Sequence, residues 1–244
     1  MTKLHDLLID LPPMDGRAWA AVHDRAADIL RPSGALAWLD EIAAWVAGWQ
    51  RTYRPAVRRP AGLIFAADHG VAAATKVSAY PTGVTEAMLS AYREGRSTIS
   101  AFARIAGAEV AAVDVGVGRP TGDIRYGAAL DPIRLDAIVD AAIAAVDALD
   151  CDLLVLGEMG IGNTTPSAAI AAALAGGETA DWVGRGTGVD DEGLARKRAA
   201  VQESVRRIAG ITDPIEILRE VGGAELVGVA AATLAARHRS IPVV

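Results

Sequence analysis

Along the chain the apolar positions change rhythm near residue 60. Before it they recur at helical spacing, which predicts amphipathic helices over 16–31 and 34–50. Trp38, Trp45 and Trp49 fall seven and four apart, on one helical face, and read as core or as a packing surface for another segment. After residue 60, short fully apolar runs alternate with longer helical patterns. GLIFAA (62–67), EVAAVDV (109–115) and DLLVLG (152–157) read as strands, with DWVG (181–184) as a short further one. Helices are expected over 84–106, 131–149, 166–175, 191–209 and 223–238. IPVV (241–244) opens another strand.

Continuous apolar strands separated by helices indicate a parallel sheet covered on both faces, with right-handed crossovers. The expected fold is α/β: a Rossmann-like parallel sheet plus an N-terminal helical segment. RPAVRRP, near residue 58, divides an N-terminal helical segment (1–58) from an α/β nucleotide-binding catalytic domain (59–244). There is no internal repeat and no low-complexity linker.

Composition narrows the function. Hydrophobic residues make up 52% of the 244, aromatics only 5%, and alanine and valine dominate, which suits close helix-on-sheet packing. A net charge of −6 argues against nucleic acid or an anionic membrane as partner, while leaving room for a small anion held by backbone dipoles. Cys151 is the single cysteine, so it reads as a small buried hydrophobe and not as a thiol nucleophile. No apolar stretch reaches the length of a membrane span, and MTKLHDLLIDLPPMDG is too acidic for a signal peptide. The expected location is the cytoplasm.

The chemistry lies in the loops after the strands. LVLGEMGIGNTTPSAA leaves a strand, passes Gly157, Gly160 and Gly162, and re-enters a helix at once. Thr165 reads as an N-cap and Pro166 as a first helical residue. Glycines permit close backbone approach, and free N–H groups at a helix start attract anions, so the loop reads as a phosphate cradle, with a purely structural turn as the other reading. Its order is GxxGxG, neither a Walker loop nor GxGxxG. Gly184-Arg185-Gly186-Thr187-Gly188 repeats the design before a helix carrying Lys197, although a lysine between Arg196 and Arg198 usually belongs to a solvated face. After the first strand, Asp68 and His69 suit acid–base work as well as capping and backbone satisfaction. Ser78-Ala79-Tyr80-Pro81 forms a polar-aromatic turn that could wall a flat pocket.

Taken in order, FAADHGV, VSAYP with VTEAM, VDVGV, LGEMGIGNTTPSAA, GRGTGVDDEGLARKR and DPIEILREVGG closely resemble the nicotinate-nucleotide–dimethylbenzimidazole phosphoribosyltransferases, over roughly residues 60–244. The resemblance implies transfer of phosphoribose from nicotinate mononucleotide to 5,6-dimethylbenzimidazole, giving α-ribazole 5′-phosphate and nicotinate for the lower ligand of cobalamin. It implies a homodimer, small-molecule substrates, no cofactor and no metal. By the same resemblance Gly160, Gly162, Asn163 and Thr164 hold phosphate and ribose. Gly186 and Gly188 line the other wall, with Lys197 as charged partner. Glu158 is the acidic residue at the reaction centre, and Ser78, Tyr80 and Pro81 form the base pocket.

Two departures stand out. Thr82 and Gly83 follow the SAYP proline where the family often has a glutamine and an acidic residue. In the family, the strand begun by IPVV also continues into further helices and a GEGTG-like segment whose carboxylate is the principal general base. That segment is absent here, which leaves Glu158 as the only motif-matched carboxylate, with Asp68 as another place for the proton. A slow enzyme with exposed apolar surface is the expectation. The alternative is a non-catalytic homologue that binds nicotinate mononucleotide or a benzimidazole. A dinucleotide oxidoreductase is disfavoured, because GxGxxG with an acidic residue about 20 positions on is missing.

Overall fold

The structure, a computed structural model, describes residues 2–32 and 34–244. A short helix α1 (Lys3–Asp6) precedes α2 (Gly16–Asp28) and α3 (Trp38–Gln50), which pack on each other as a hairpin. The α/β part follows as β1 (Pro60–Ala67), α4 (Gly70–Thr75), α5 (Val84–Arg93), α6 (Thr98–Ala106), β2 (Glu109–Gly116), α7 (Pro132–Asp147), β3 (Leu153–Met159), α8 (Thr164–Ala175), α9 (Asp191–Arg207), α10 (Pro214–Val221) and α11 (Ala224–His238).

The three strands form one parallel sheet in the order β2-β1-β3. The apolar run 241–244 extends it: Leu154 N–H donates to the Pro242 carbonyl, Leu156 N–H to that of Val244, and Val243 bridges Leu154 in parallel. Central β1 is buried from Ala61 to Ala67, as a strand covered on both faces must be. Its odd residues Ala61, Leu63, Phe65 and Ala67 join the main core with Val227, Ala231 and Ala235 of α11. Its even residues Ile64 and Ala66 are buried towards the face crossed by α5. Alanine and glycine let α11 come close to the sheet: a Cβ on Gly228 would stand 2.5 Å from the Phe65 ring.

Several expected boundaries shift for physical reasons. The helix expected over 84–106 is two helices, because Gly95 takes a left-handed φ of 67° and Ser97 caps α6 by accepting from Ser100 N–H. DWVG is not a strand. Gly176 and Gly177 both turn left-handed, and Thr179–Trp182 closes as a 3₁₀ turn with Trp182 Nε1 donating to the Gly176 carbonyl. Helix α8 begins at Thr164, so Asn163 holds the cap position expected for Thr165. Of the tryptophan stripe, Trp38 is 79% exposed and only Trp45 and Trp49 are half-buried. Trp49 lies beneath the Arg237 guanidinium, 5.3 Å from its carbon to the ring centre. Gln50 joins α3 to the sheet, donating through Nε2 to the carbonyls of Ala56 and Asp152. Among the described residues no helix is long and apolar enough to cross a membrane.

Candidate active site

Ligands of open parallel sheets sit beyond the carboxyl ends of the strands. The ends of β1 and β3 lie side by side there, with Ala66 opposite Met159. The loop after β3 is tightly constrained. A Cβ on Gly160 would fall 2.8 Å from the Ala67 carbonyl oxygen and 2.6 Å from His69 Nε2. Gly162 has φ +88°, and a Cβ there would fall 2.6 Å from that of Ala72. Ile161 N–H donates to the buried Thr85 hydroxyl of α5 at 3.2 Å. The N–H groups of Gly162 and Thr164 have no protein partner among the described residues, so they are free for an anion at the start of α8.

This loop floors a cavity of about 160 Å³. Ser78 closes it on one side, Thr187 on another, and their hydroxyls stand 3.3 Å apart. Glu158, Gly160, Gly162, Asn163 and Thr164 all line it, so most of the residues expected to hold phosphate and ribose share one cleft. Asn163 Nδ2 donates to the Glu158 carboxylate. Glu158 stands at the cleft mouth, where partial loss of hydration lifts its pKa. Glu225 lifts it further, while His69 and the Asn163 bond oppose the rise. Burial also raises the Tyr92 hydroxyl of α5, with a smaller push from Glu158.

Lys197 overturns the solvated-face expectation. It is 1% exposed, and its ammonium donates to Thr164 Oγ1 at 2.8 Å and to the Gly184 carbonyl at 2.9 Å. It therefore ties the two glycine loops together, and burial pulls its pKa down. Gly186, with φ +55°, leaves room for this lysine: a Cβ there would stand 3.0 Å from Nζ. Gly188, with φ +100°, has open space around it and does not line the cavity.

The remaining candidates divide. Tyr80 and Pro81 sit on the exposed surface outside this cavity, with Tyr80 N–H donating to Ser78 Oγ. Asp68 braces the turn after β2: its Oδ2 accepts from Gly118 N–H and its carbonyl from Thr121 N–H, while its Oδ1 is buried without a partner among the described residues. His69 does not satisfy a backbone group. Its ring is buried against Glu225 of α11, a partner that no local spacing reveals. Thr187, quoted in the second loop but not among the candidate site residues, lines the cleft, and its place between two glycines is the signal that points to it. Cys151 is buried and its thiol pKa is pushed up, mainly by burial, which fits a packing role.

A parallel α/β sheet with two glycine loops joined by a buried lysine beside a small cleft, with free backbone N–H groups at a helix start, is an arrangement suited to a phosphorylated small molecule. Comparison with known proteins gives the class its name. A family model described as phosphoribosyltransferase matches residues 11–244. Relatives called nicotinate-nucleotide–dimethylbenzimidazole phosphoribosyltransferase from Mesorhizobium japonicum and from a Ruegeria species are each 44% identical over 244 residues, all of this chain and 72% of theirs. The crystal structure of CobT from Thermus thermophilus superposes with a TM-score of 0.88 at 37% identity, covering 93% of this chain and 73% of that one. The chain belongs to the nicotinate-nucleotide–dimethylbenzimidazole phosphoribosyltransferase family.

Proposed function

We infer that this chain transfers phosphoribose from nicotinate mononucleotide to 5,6-dimethylbenzimidazole, as its relatives' names describe. The observation that carries this is the convergence of both glycine loops, Ser78 and Glu158 on one cleft, with Lys197 bridging the loops. In the reaction a benzimidazole nitrogen forms a bond to the anomeric carbon as the bond from that carbon to the pyridinium nitrogen breaks. The bonding pair returns to the nicotinate ring, whose positive charge disappears, so the leaving group is already activated. Attack from the opposite face turns β into α. The benzimidazole loses its N–H proton.

Within this reading the free N–H groups of Gly162 and Thr164 hold the phosphate, and Lys197 holds Thr164 and the second loop, with Gly186 and Gly188, in place. Asn163 aligns Glu158. With its pKa raised, Glu158 is a better proton acceptor than an ordinary carboxylate, and when ionised it also faces the positive charge that develops on the ribose. Ser78, Tyr80 and Pro81 flank the incoming base. The reading includes a homodimer in the cytoplasm. Exposed Leu36, Trp38, Leu39 and Ile42 at and before the start of α3 give a second copy an apolar surface to cover.

The test is direct. The chain is incubated with both substrates, and α-ribazole 5′-phosphate is sought by mass and by its anomeric NMR signal, with Glu158→Gln alongside. Product that disappears in the variant supports the reading. Saturable binding without product moves it to the non-catalytic alternative. Light scattering on the same sample reads the oligomeric state.

A further inference from the structure

Behind the 157–163 loop the chain buries a histidine against a carboxylate. His69 follows β1, and Glu225 stands in the first turn of α11. Both side chains are fully buried, and Nε2 of the one lies 3.1 Å from Oε1 of the other. The contact is a close approach without hydrogen-bond alignment, and among the described residues no hydrogen-bond partner reaches either ring nitrogen or either carboxylate oxygen. Such burial carries a desolvation cost that apolar side chains of the same volume would avoid, so packing alone does not account for it.

The backbone is shaped around this pair. A Cβ on Gly160 would stand 2.6 Å from His69 Nε2. A Cβ on Gly223 would stand 2.6 Å from both Glu225 oxygens and from His69 Cε1. Gly160 belongs to the loop that lines the cleft, two residues beyond Glu158. The pair therefore presses on the cleft's floor from behind without touching the cleft itself.

We propose that His69 and Glu225 are a positioning pair for the reaction: their close buried contact fixes the backbone at Gly160, and with it the place of Glu158. What Glu158 is positioned for rests on the phosphoribosyl-transfer reading; the buried pair does not. The groups that face the cluster are few. Glu158 comes from β3, Asn163 from the loop after it, and Tyr92 from α5. Asp68, beside His69, is engaged by Gly118 N–H. Of the two partners, Glu225 acts on Glu158 more strongly than His69 does, and with the opposite sign. Removing the Glu225 charge therefore lets Glu158 ionise at lower pH.

The test uses Glu225→Gln, His69→Gln and the double variant, which preserve size and hydrogen-bonding capacity. The first readout is proton–nitrogen NMR of the imidazole. An Nε2 signal that shifts in Glu225→Gln is expected, because the two side chains stand 3.1 Å apart. The second is nicotinate release against pH. Each single variant is expected to lower kcat on the order of 10²-fold, the effect of a small misplacement at a reacting centre, with KM little changed. The double variant loses no more than the worse single. The acidic limb moves to lower pH in Glu225→Gln and in the double variant. Additive losses, an unmoved limb or an imidazole signal indifferent to Glu225→Gln would each overturn the pair. Should a single variant fail to fold, the double variant leaves no charge uncompensated and carries the pH test. Should the wild type release no nicotinate, the transferase reading fails and the imidazole signal alone decides the pair.

Discussion

The two glycine loops look alike in sequence and differ in construction. In 157–163, Gly160 and Gly162 are both pressed against neighbouring atoms, and Ile161 is tied to α5. In 184–188, a Cβ on Gly184 or Gly188 would meet nothing within 4 Å, and one on Gly186 would be crowded by Lys197 and Thr164. The first loop is rigid because its surroundings leave no alternative. The second is open where a Cβ would project from Gly184 and Gly188, and it is held inward by the Lys197 ammonium and by the contact of the Thr187 and Ser78 hydroxyls. Glycine is required for close approach in the one and chiefly for backbone conformation in the other.

The sharpest way to break this comparison is to add one methyl group to each loop. Gly160→Ala should destabilise the protein by about 3 kcal/mol, at the upper end of overpacking costs, since neither a carbonyl nor a buried ring can yield cheaply. Chemical denaturation would show it, and nicotinate mononucleotide binding should disappear from calorimetry. A cost under about 0.5 kcal/mol, as at an ordinary surface site, would mean that the first loop is as loose as the second.

Next in size is the lysine bridge. Lys197→Met keeps the length of the side chain and removes its donors, so both loops lose their shared anchor. Affinity for nicotinate mononucleotide should fall about 10- to 100-fold, or about 1.4–2.7 kcal/mol. An unchanged dissociation constant would show that the second loop holds its position unaided.

In the open loop, Gly188→Ala should cost about 1 kcal/mol, because a left-handed residue gains a Cβ without meeting a neighbour. Gly184→Ala, with neither crowding nor positive φ, should stay within about 0.5 kcal/mol of the wild type. Equal costs at the two positions would remove conformation as the reason for glycine at 188.

The smallest effect is electrostatic. A carboxyl whose pKa is raised in the folded protein binds its proton more tightly there than in the unfolded chain. Its contribution is fully present below the ordinary glutamate value of about 4.3 and is lost as pH rises through the raised value. Glu158→Gln should therefore melt slightly higher than the wild type near neutrality, and that gain should vanish in acid. Thermal melts across pH would reveal the crossover. A variant that is less stable at every pH would mean that Glu158's contacts outweigh its desolvation.

Much of this was legible in advance, and the reasons are local. β1 and β3 declare themselves as apolar runs too short for helices, and the loop after β3 carries its glycines next to a helix start. The break between α5 and α6 was also written locally, in Gly95 and Ser97, but the apolar rhythm runs through it and masked the signal. Lys197 was reached only through the family resemblance and not from local pattern, because its charged neighbours Arg196 and Arg198 advertise a solvent face, whereas its own side chain dives between two loops. His69 and Glu225 meet only because α11 crosses the sheet, and no periodicity records a contact between elements so far apart in sequence.

The stretch from Ser78 to Thr85 is moored at both ends, to Thr187 by the first hydroxyl and to Ile161 by the second. That mooring has an evolutionary consequence. If this stretch flanks the incoming base, as proposed, a lineage changing its aromatic acceptor would have its natural freedom in exposed Tyr80, Pro81 and Gly83 and half-buried Thr82, which can change identity while both anchors stay. It has almost no freedom in their number. One residue added or lost there would drag a hydroxyl off one glycine loop or the other, so on this reading new specificity would be reached by substitution and not by insertion.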